Sequence, residues 1–288
     1  MLPRLTIIDF QKKFSDNNTC LAYLFKARFP NPKCAKCGGT KFYKHPTRAC
    51  YTCGKGCTHL WPKEGTVFDH SSTDLVKWFF AIFLMSQSRN GVSAKELERA
   101  LGVTYKCAYR IGQQIRKLME ENNLFLSGDV EADEALIGGR IKRKDRMKNK
   151  GIVFGAVERK GKVKASVVDT VSMKAIGDAV KSSVAQGSRL LTDKCHAYRN
   201  VASVVGYQHE SVNHGAKEFV RKDVHTNTIE GFFSQFKRSI DGTYHVISPR
   251  KLGAYVSEFQ WRYIHRKDDA HLFDQLLSRV TLPPSAGV

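Results

Sequence analysis

The sequence predicts a multi-domain α/β protein. Three observations carry this: two neighbouring Cys-x-x-Cys pairs near the N-terminus, a middle stretch of helical periodicity alone, and a second half in which strand alternation gives way to amphipathic helices. The expected boundaries are 1–62 for an N-terminal helix and cysteine ribbon, 63–124 for a helical region, 125–268 for a mixed β-sheet covered by helices, and 269–288 for a C-terminal tail.

Charge narrows the choice of partner. The chain carries 47 Lys and Arg against 27 Asp and Glu, a net +20 over 288 residues. Folding does not need that excess, whereas a polyanion would use it, with nucleic acid ahead of an acidic membrane surface. No apolar run is long enough to span a bilayer, and Met1-Leu2-Pro3-Arg4 opens no signal-peptide core. A cytoplasmic protein, nucleoid-associated when on DNA, is expected. Eight cysteines are too few for a disulfide scaffold and stay reduced in that compartment, so metal binding is the first question to ask of them.

Taken in order, residues 5–29 read as helical, with Leu5, Ile8, Phe14, Leu21, Leu24 and Phe25 on the buried side. Cys34-Ala-Lys-Cys37 and Cys50-Tyr-Thr-Cys53 follow, separated by twelve residues. Each knuckle offers two thiolates to one tetrahedral ion, so Cys34, Cys37, Cys50 and Cys53 are the expected ligands of a structural Zn²⁺. Gly38 and Gly54 would relieve the turns, and Cys57, His59 or His45 could replace a ligand. A ribbon this small draws much of its folding energy from the metal.

Ser72 is the expected N-cap of a helix burying Leu75, Trp78, Phe79, Ile82, Phe83 and Met85, which Asn90-Gly91 ends. Ser93-Ala-Lys-Glu96 opens a second helix with Leu97 and Leu101. Gly102 marks a turn, and Thr104 caps a third helix through Ile111, Ile115 and Leu118. The pattern is that of a helix-turn-helix, in which Tyr105, Lys106, Tyr109 and Arg110 would face DNA; an ordinary three-helix bundle is the alternative.

Strand periodicity begins near Leu126. A strand ends in Ala-Asp133-Glu134, the basic run Arg140 to Lys150 is an exposed loop suited to phosphate, and residues 152–158 and 163–169 make a hairpin. A helix near 173–184 leads to a strand ending at Asp193, and 212–220 forms a short segment. The stretch His225 to Arg238 is an amphipathic helix with Ile229, Phe232, Phe233 and Phe236 on its apolar side. Two turns of that helix return Lys237 to the face of Glu230. An Asn227–Glu230 capping box would explain the same residues structurally. A last helix covers about Pro249 to Arg266, and the end from Leu282 frays.

Asp133 and Asp193 end strands that can neighbour each other in one sheet, and a helix over that edge adds Glu230. Three carboxylates in one cavity repel unless cations intervene, and hard ions such as Mg²⁺ suit them. Two ions about 4 Å apart would serve attack and departure of oxygens at phosphorus, with Lys237 toward the phosphate backbone. Glu131 or Glu134 could replace Asp133, and Asp193 could instead cap a helix at 194–198.

The motifs Val-Glu-Ala-Asp133-Glu-Ala-Leu-Ile-Gly-Gly, Phe-Gly-Ala-Val-Glu158-Arg, Leu-Thr-Asp193-Lys, Val-Asn213-His214, His225-Thr-Asn-Thr-Ile-Glu230-Gly-Phe-Phe-x-x-x-Lys237-Arg238, Gly242-Thr-Tyr-His and Glu258-Phe-x-x-Arg262-Tyr occur in that order. Together they resemble the zinc-ribbon insertion-sequence transposases of bacteria, relatives of the Merlin transposons, over residues 30–266. The resemblance implies a ribonuclease-H-like core with Asp133, Asp193 and Glu230 as catalytic metal ligands for two Mg²⁺, or Mn²⁺. It implies Lys237, with Arg238 beside it, as a DNA contact. It also implies binding of double-stranded terminal inverted repeats and target DNA, strand cleavage and strand transfer. Pairing two ends calls for a homodimer or larger synaptic complex. The chain departs from the family at Arg262-Tyr-Ile-His-Arg266 and at Phe233, where Trp is usual. A catalytically silent DNA-binding regulator and a nuclease that hydrolyses without joining are the alternatives. Asn227, one turn before Glu230, could touch the site through its amide, and His214 and His225 are candidates near it, although a lone His is more often structural.

Overall fold

A computed structural model describes residues 5–138, 150–193, 198, 206–268 and 270–281. Of the basic run at 140–150 only Lys150 lies among them, of the helix expected after Asp193 only Tyr198, and the Pro-Pro terminus lies outside. The chain divides into two compact units. One comprises Met1–Ser88, Ala94–Leu118 and Asp268–Val288; the other comprises Arg89–Ser93 and Met119–Lys267.

In the first unit the expected N-terminal helix is two. Helix α1 (Ile7–Lys13) starts in a capping box: the Thr6 hydroxyl accepts from the Asp9 amide while the Asp9 carboxylate accepts from the Thr6 amide. Helix α2 (Asn17–Arg28) is capped by Asp16, which accepts from Thr19 N. Strands β1 (Phe42–Lys44), β2 (Tyr51–Cys53) and β3 (His59–Leu60) form an antiparallel ribbon in that order. Helix α3 (Leu75–Gln87) buries Trp78, Phe79, Ile82, Phe83 and Met85, and its N-cap position is Asp74 rather than Ser72. Helices α4 (Ala94–Leu101) and α5 (Tyr105–Leu118) are joined through Gly102, whose φ of +58° suits a residue without Cβ.

Residues 272–281, expected within a tail, form a helix, Leu272–Thr281, that packs on α2, α3 and α5. Its Leu272, Phe273, Leu276, Leu277 and Val280 are buried, and Phe273 meets Phe10 edge-on at 5.8 Å. That stripe recurs at helical spacing and needs an apolar partner, which the first unit supplies.

The second unit is a five-stranded mixed sheet of order β6-β5-β4-β7-β8. Its strands are β4 (Asp129–Ile137), β5 (Gly151–Glu158), β6 (Val163–Val168), β7 (Arg189–Asp193) and β8 (Gln208–Val212). β4 runs antiparallel to β5 and parallel to β7, and β7 runs parallel to β8. The hairpin β5–β6 turns at Arg159–Lys162 as the sequence suggests, and helix α6 (Met173–Lys181) makes the crossover into β7. Strand β8 precedes the segment expected at 212–220 and meets it at Val212; its Gln-His-Glu-Ser-Val run is too polar to announce an edge strand.

Alternation along β4 sorts its side chains onto two layers. Val130 and Ala132 join Phe154, Leu190 and α6 on one face. Ala135 and Ile137 join helices α7 (Asn227–Ser239) and α8 (Pro249–Ile264) on the other, through Ile229, Phe232, Phe233, Phe236, Leu252, Val256 and Phe259. Gly155 admits α7 to the sheet: a Cβ there would lie 2.8 Å from Phe233 Cζ and 2.9 Å from Ile229 Cδ1.

Candidate active site

Register places the first two acids. β4 and β7 pair Ala132 with Thr192, so the next residues, Asp133 and Asp193, are neighbours on the α7 face. Asp133 sits in the middle of β4 rather than at its end, opposite Gly155, the residue that lets α7 approach. Glu230 lies in the first turn of α7 and Lys237 in its last.

The electrostatics show that these groups share one environment. Burial, above all, pushes the Asp133 carboxyl up to about 6, and the Asp193 and Glu230 charges add to it. The Glu134 amide, donating to Asp133 Oδ1 at 2.8 Å, and the Lys237 ammonium act in the other direction. Desolvation and like charge together outweigh the one ammonium that acts on Asp133 and leave the site short of positive charge. The three carboxylates do not converge into a closed cage: among the described residues, the group of three or more donors all within 4.8 Å of one another is the cysteine cluster discussed below. Glu230 Oε1 instead accepts from the Thr226 hydroxyl at 2.9 Å and lies 3.9 Å from His214 Nε2. An all-oxygen donor set with mutual repulsion fits a hard divalent ion better than a thiophilic one.

The alternatives raised by the sequence separate cleanly. Glu134 points to the opposite face of the sheet, where burial pushes its carboxyl up to about 7 and the Tyr198 phenol faces it. Glu131, fully buried on the same face as Asp133, is committed elsewhere. It accepts from Arg159 Nε at 2.9 Å, Thr228 N at 2.7 Å, Thr228 Oγ1 at 2.9 Å and Ile229 N at 3.2 Å, and His225 Nδ1 lies 3.2 Å away. Glu131 therefore caps the N-terminus of α7, where free amides and the helix dipole favour an anion. The capping box expected from Asn227 does not form; Thr226 occupies the N-cap position and Asn227 is exposed. Sequence reading missed Glu131 as an anchor. The one available signal was its parity with Asp133, two residues on along an alternating strand.

Of the expected DNA contacts, Lys237 and Arg238 are exposed on the last turn of α7, and Arg238 donates to Gln235 at 3.2 Å. Lys106 is exposed on the first turn of α5. Arg110 is exposed but spends part of its guanidinium on Ser71 Oγ at 3.2 Å, 5.9 Å from the Trp78 ring.

The ribbon gathers a second donor set, with one correction. The clustered thiols are Cys34, Cys37, Cys53 and Cys57, all within 4.8 Å of one another, and Cys50 is not among them. Tetrahedral Zn–S bonds of ~2.3 Å put sulfurs roughly 3.8 Å apart, so the cluster fits Zn²⁺. The reason for the exchange is local. Residues 51–53 are strand, which directs Cys50 and Cys53 to opposite faces, whereas Cys53-Gly-Lys-Gly-Cys57 turns back through Gly56 at φ +72°. Gly56 donates to the Cys53 carbonyl at 2.7 Å. Cys50 is wholly buried, and that burial pushes its thiol up. Cys34 shows the reverse: the Thr58 hydroxyl at 3.2 Å and the Cys37 amide bring its thiol down to about 6.

Residues 125–263 match the ISXO2-like transposase domain, and residues 15–60 match the transposase zinc-ribbon domain. A protein of the transposable element ISH50 of Halobacterium salinarum is 27% identical over 231 residues, covering 74% of this chain and 77% of that protein. Both domain matches fall on the units that carry the two donor sets, and the chain belongs to the zinc-ribbon insertion-sequence transposases.

Proposed function

We propose that this transposase cuts and joins DNA by metal-dependent phosphoryl transfer at the α7 face of the second unit. The observation that carries the reading is the pairing of β4 with β7, which sets Asp133 beside Asp193 under the helix bearing Glu230 and Lys237. Asp133, Asp193 and Glu230 would hold Mg²⁺, with Mn²⁺ as a substitute. Two such ions, when bound, supply charge to the attacking and leaving oxygens of an in-line displacement. The protein's own contribution is positional. Glu131 pins the first turn of α7 to β4, which fixes Glu230 over the aspartates, and Lys237 offers its ammonium to a phosphate two turns along. The nucleophile is water in cleavage and a DNA 3′-hydroxyl in joining, and neither needs a covalent bond to the protein.

The sheet order and its covering helices agree with a ribonuclease-H-like core, and α4, turn and α5 agree with a helix-turn-helix. Lys106, Arg110, Lys237 and Arg238 are the phosphate contacts of this reading, and the +20 charge supports a polyanion as partner. No helix among the described residues is long and apolar enough to cross a membrane. The substrate would be the element's terminal inverted repeats together with target DNA, held by two or more copies of the chain. Labelled repeat-end DNA, incubated with the zinc-loaded chain, tests this: nicks should require Mg²⁺ or Mn²⁺ and vanish in Asp193→Asn. Equal nicking by that variant would refute it.

A further inference from the structure

The segment between β8 and α7, residues 213–224, is a loop tied at both ends, with an apolar crest. It opens in a 3₁₀ turn, His214–Ala216, and Glu218 folds back, its amide donating to the Asn213 carbonyl at 3.0 Å and its carboxylate accepting from Asn213 N at 3.2 Å. At its far end Arg221 and Val224 exchange backbone hydrogen bonds of 3.0 and 2.9 Å, Val224 is buried with Leu191 and Val212, and Asp223 pairs with Arg189. Lys217 and Lys222 take left-handed φ values of +60° and +58°, which non-glycine residues adopt seldom. Between these fixed points Phe219 and Val220 are 59% and 52% exposed, and Lys217, Arg221 and Lys222 around them are exposed as well.

The crest leads inward to the acidic site. The Phe219 ring lies 5.3 Å from the His214 ring, and His214 Nε2 lies 3.9 Å from Glu230 Oε1. An exposed aromatic residue with three exposed cations within three positions of it in the chain matches a nucleotide, whose base is a flat apolar surface and whose phosphates are anionic. Inside a duplex a base shows a protein only its edges; its face becomes available once it is unpaired.

We propose that the 213–224 loop is a stacking platform on which Phe219 takes the face of an unpaired base beside the cut, while Lys217, Arg221 and Lys222 hold the flanking phosphates. This rests on the acidic trio as the place of cutting. Phe219 is then a positioning residue that stabilises an opened DNA end and, through His214, sets it against Glu230.

The test is equilibrium binding by the full, zinc-loaded chain without divalent ions, so that no cutting is needed for the readout. The probes are two labelled duplexes ending in the element's terminal repeat, one fully paired and one mismatched at the pairs flanking the cut. Phe219→Ala should weaken binding of the mismatched end by about 10- to 100-fold, the range expected for one stacked base. Phe219→Trp should retain it, and repeat duplex without an end should bind all three proteins alike. Replacing Lys217, Arg221 and Lys222 together with Ala should lower the slope of log affinity against log salt by about three. Equal binding of the mismatched end by wild type and Phe219→Ala would overturn the proposal. So would a Phe219→Ala chain whose one change is loss of self-association without DNA, which would give the crest to a second copy of the protein. A chain that grips mismatched ends through Phe219 yet never cuts them would count against the phosphoryl-transfer reading and leave the platform standing.

Discussion

Asp133→Asn is expected to abolish DNA cutting and, when no divalent ion is present, to make the protein more stable. The carboxyl sits at about 6 in the folded chain against an ordinary 3.8, chiefly through burial and then through Asp193 and Glu230. A raised carboxyl means that the folded state binds more protons than the unfolded state between those two values, so stability falls as the pH rises from 3.8 to about 6. Above about 6 the loss is complete. At 1.36 kcal/mol per pH unit the gap corresponds to about 3 kcal/mol, which a neutral Asn does not incur. For a unit of this size about 3 kcal/mol is roughly 6–12 °C in melting temperature. Thermal melts of the zinc-loaded protein without added Mg²⁺ should therefore show the variant ahead at pH 8. The difference should shrink toward zero as the pH is lowered to about 4. Added Mg²⁺ or Mn²⁺ should raise the melting temperature of the wild type more than that of the variant. Identical melts at pH 8, or a difference that does not change with pH, would refute the claim that the site holds repelling, desolvated carboxylates.

Three other outcomes follow from the geometry. Cys57→Ser should lose bound zinc, read as metal per chain by atomic absorption, whereas Cys50→Ser should keep one ion per chain; the opposite result would restore the simpler spacing rule. Glu131→Ala strips the acceptor from Arg159 and from the Thr228 and Ile229 amides, and denaturant unfolding of the second unit should show a loss of about 3–5 kcal/mol, with Glu131→Gln milder because an amide oxygen still accepts. Gly155→Ala drives a methyl into Phe233 and Ile229, for which a loss of about 1–3 kcal/mol and weaker cutting are expected; unchanged stability would mean that α7 does not need its close approach to β4.

How much of this was legible in the sequence depended on what each residue's position had to satisfy. The apolar faces of α3, α7 and α8 were readable because helical spacing and a buried partner impose the same pattern. The hairpin β5–β6 was readable because β-branched runs are bracketed by turn residues, and the strand ending at Asp193 because Leu190 and Leu191 form a short apolar run after a turn. Parity did less well. Cys50 and Cys53 look like a knuckle in spacing, yet the strand between them sends the thiols apart, and a three-residue turn to Cys57 closes the cluster. Glu131 looked like a rival ligand because a string of letters does not show which carboxylate a helix terminus will claim. The final helix was hidden by the prolines after it, although Leu272, Phe273, Leu276, Leu277 and Val280 already carried the stripe. Strand β8 was hidden because an edge strand half in water needs few apolar residues.

The central claim is that Glu230, held over Asp133 and Asp193, takes part in cutting and joining DNA ends. The most direct measurement is a strand-transfer assay with the purified chain, Mg²⁺, DNA carrying the inverted repeats that flank its gene, and a supercoiled target, run beside Glu230→Gln. The account predicts joined products from the wild type and none from Glu230→Gln, with end binding retained by both. Joining that persists in the variant, or ends that are hydrolysed by the wild type and never joined, would contradict it.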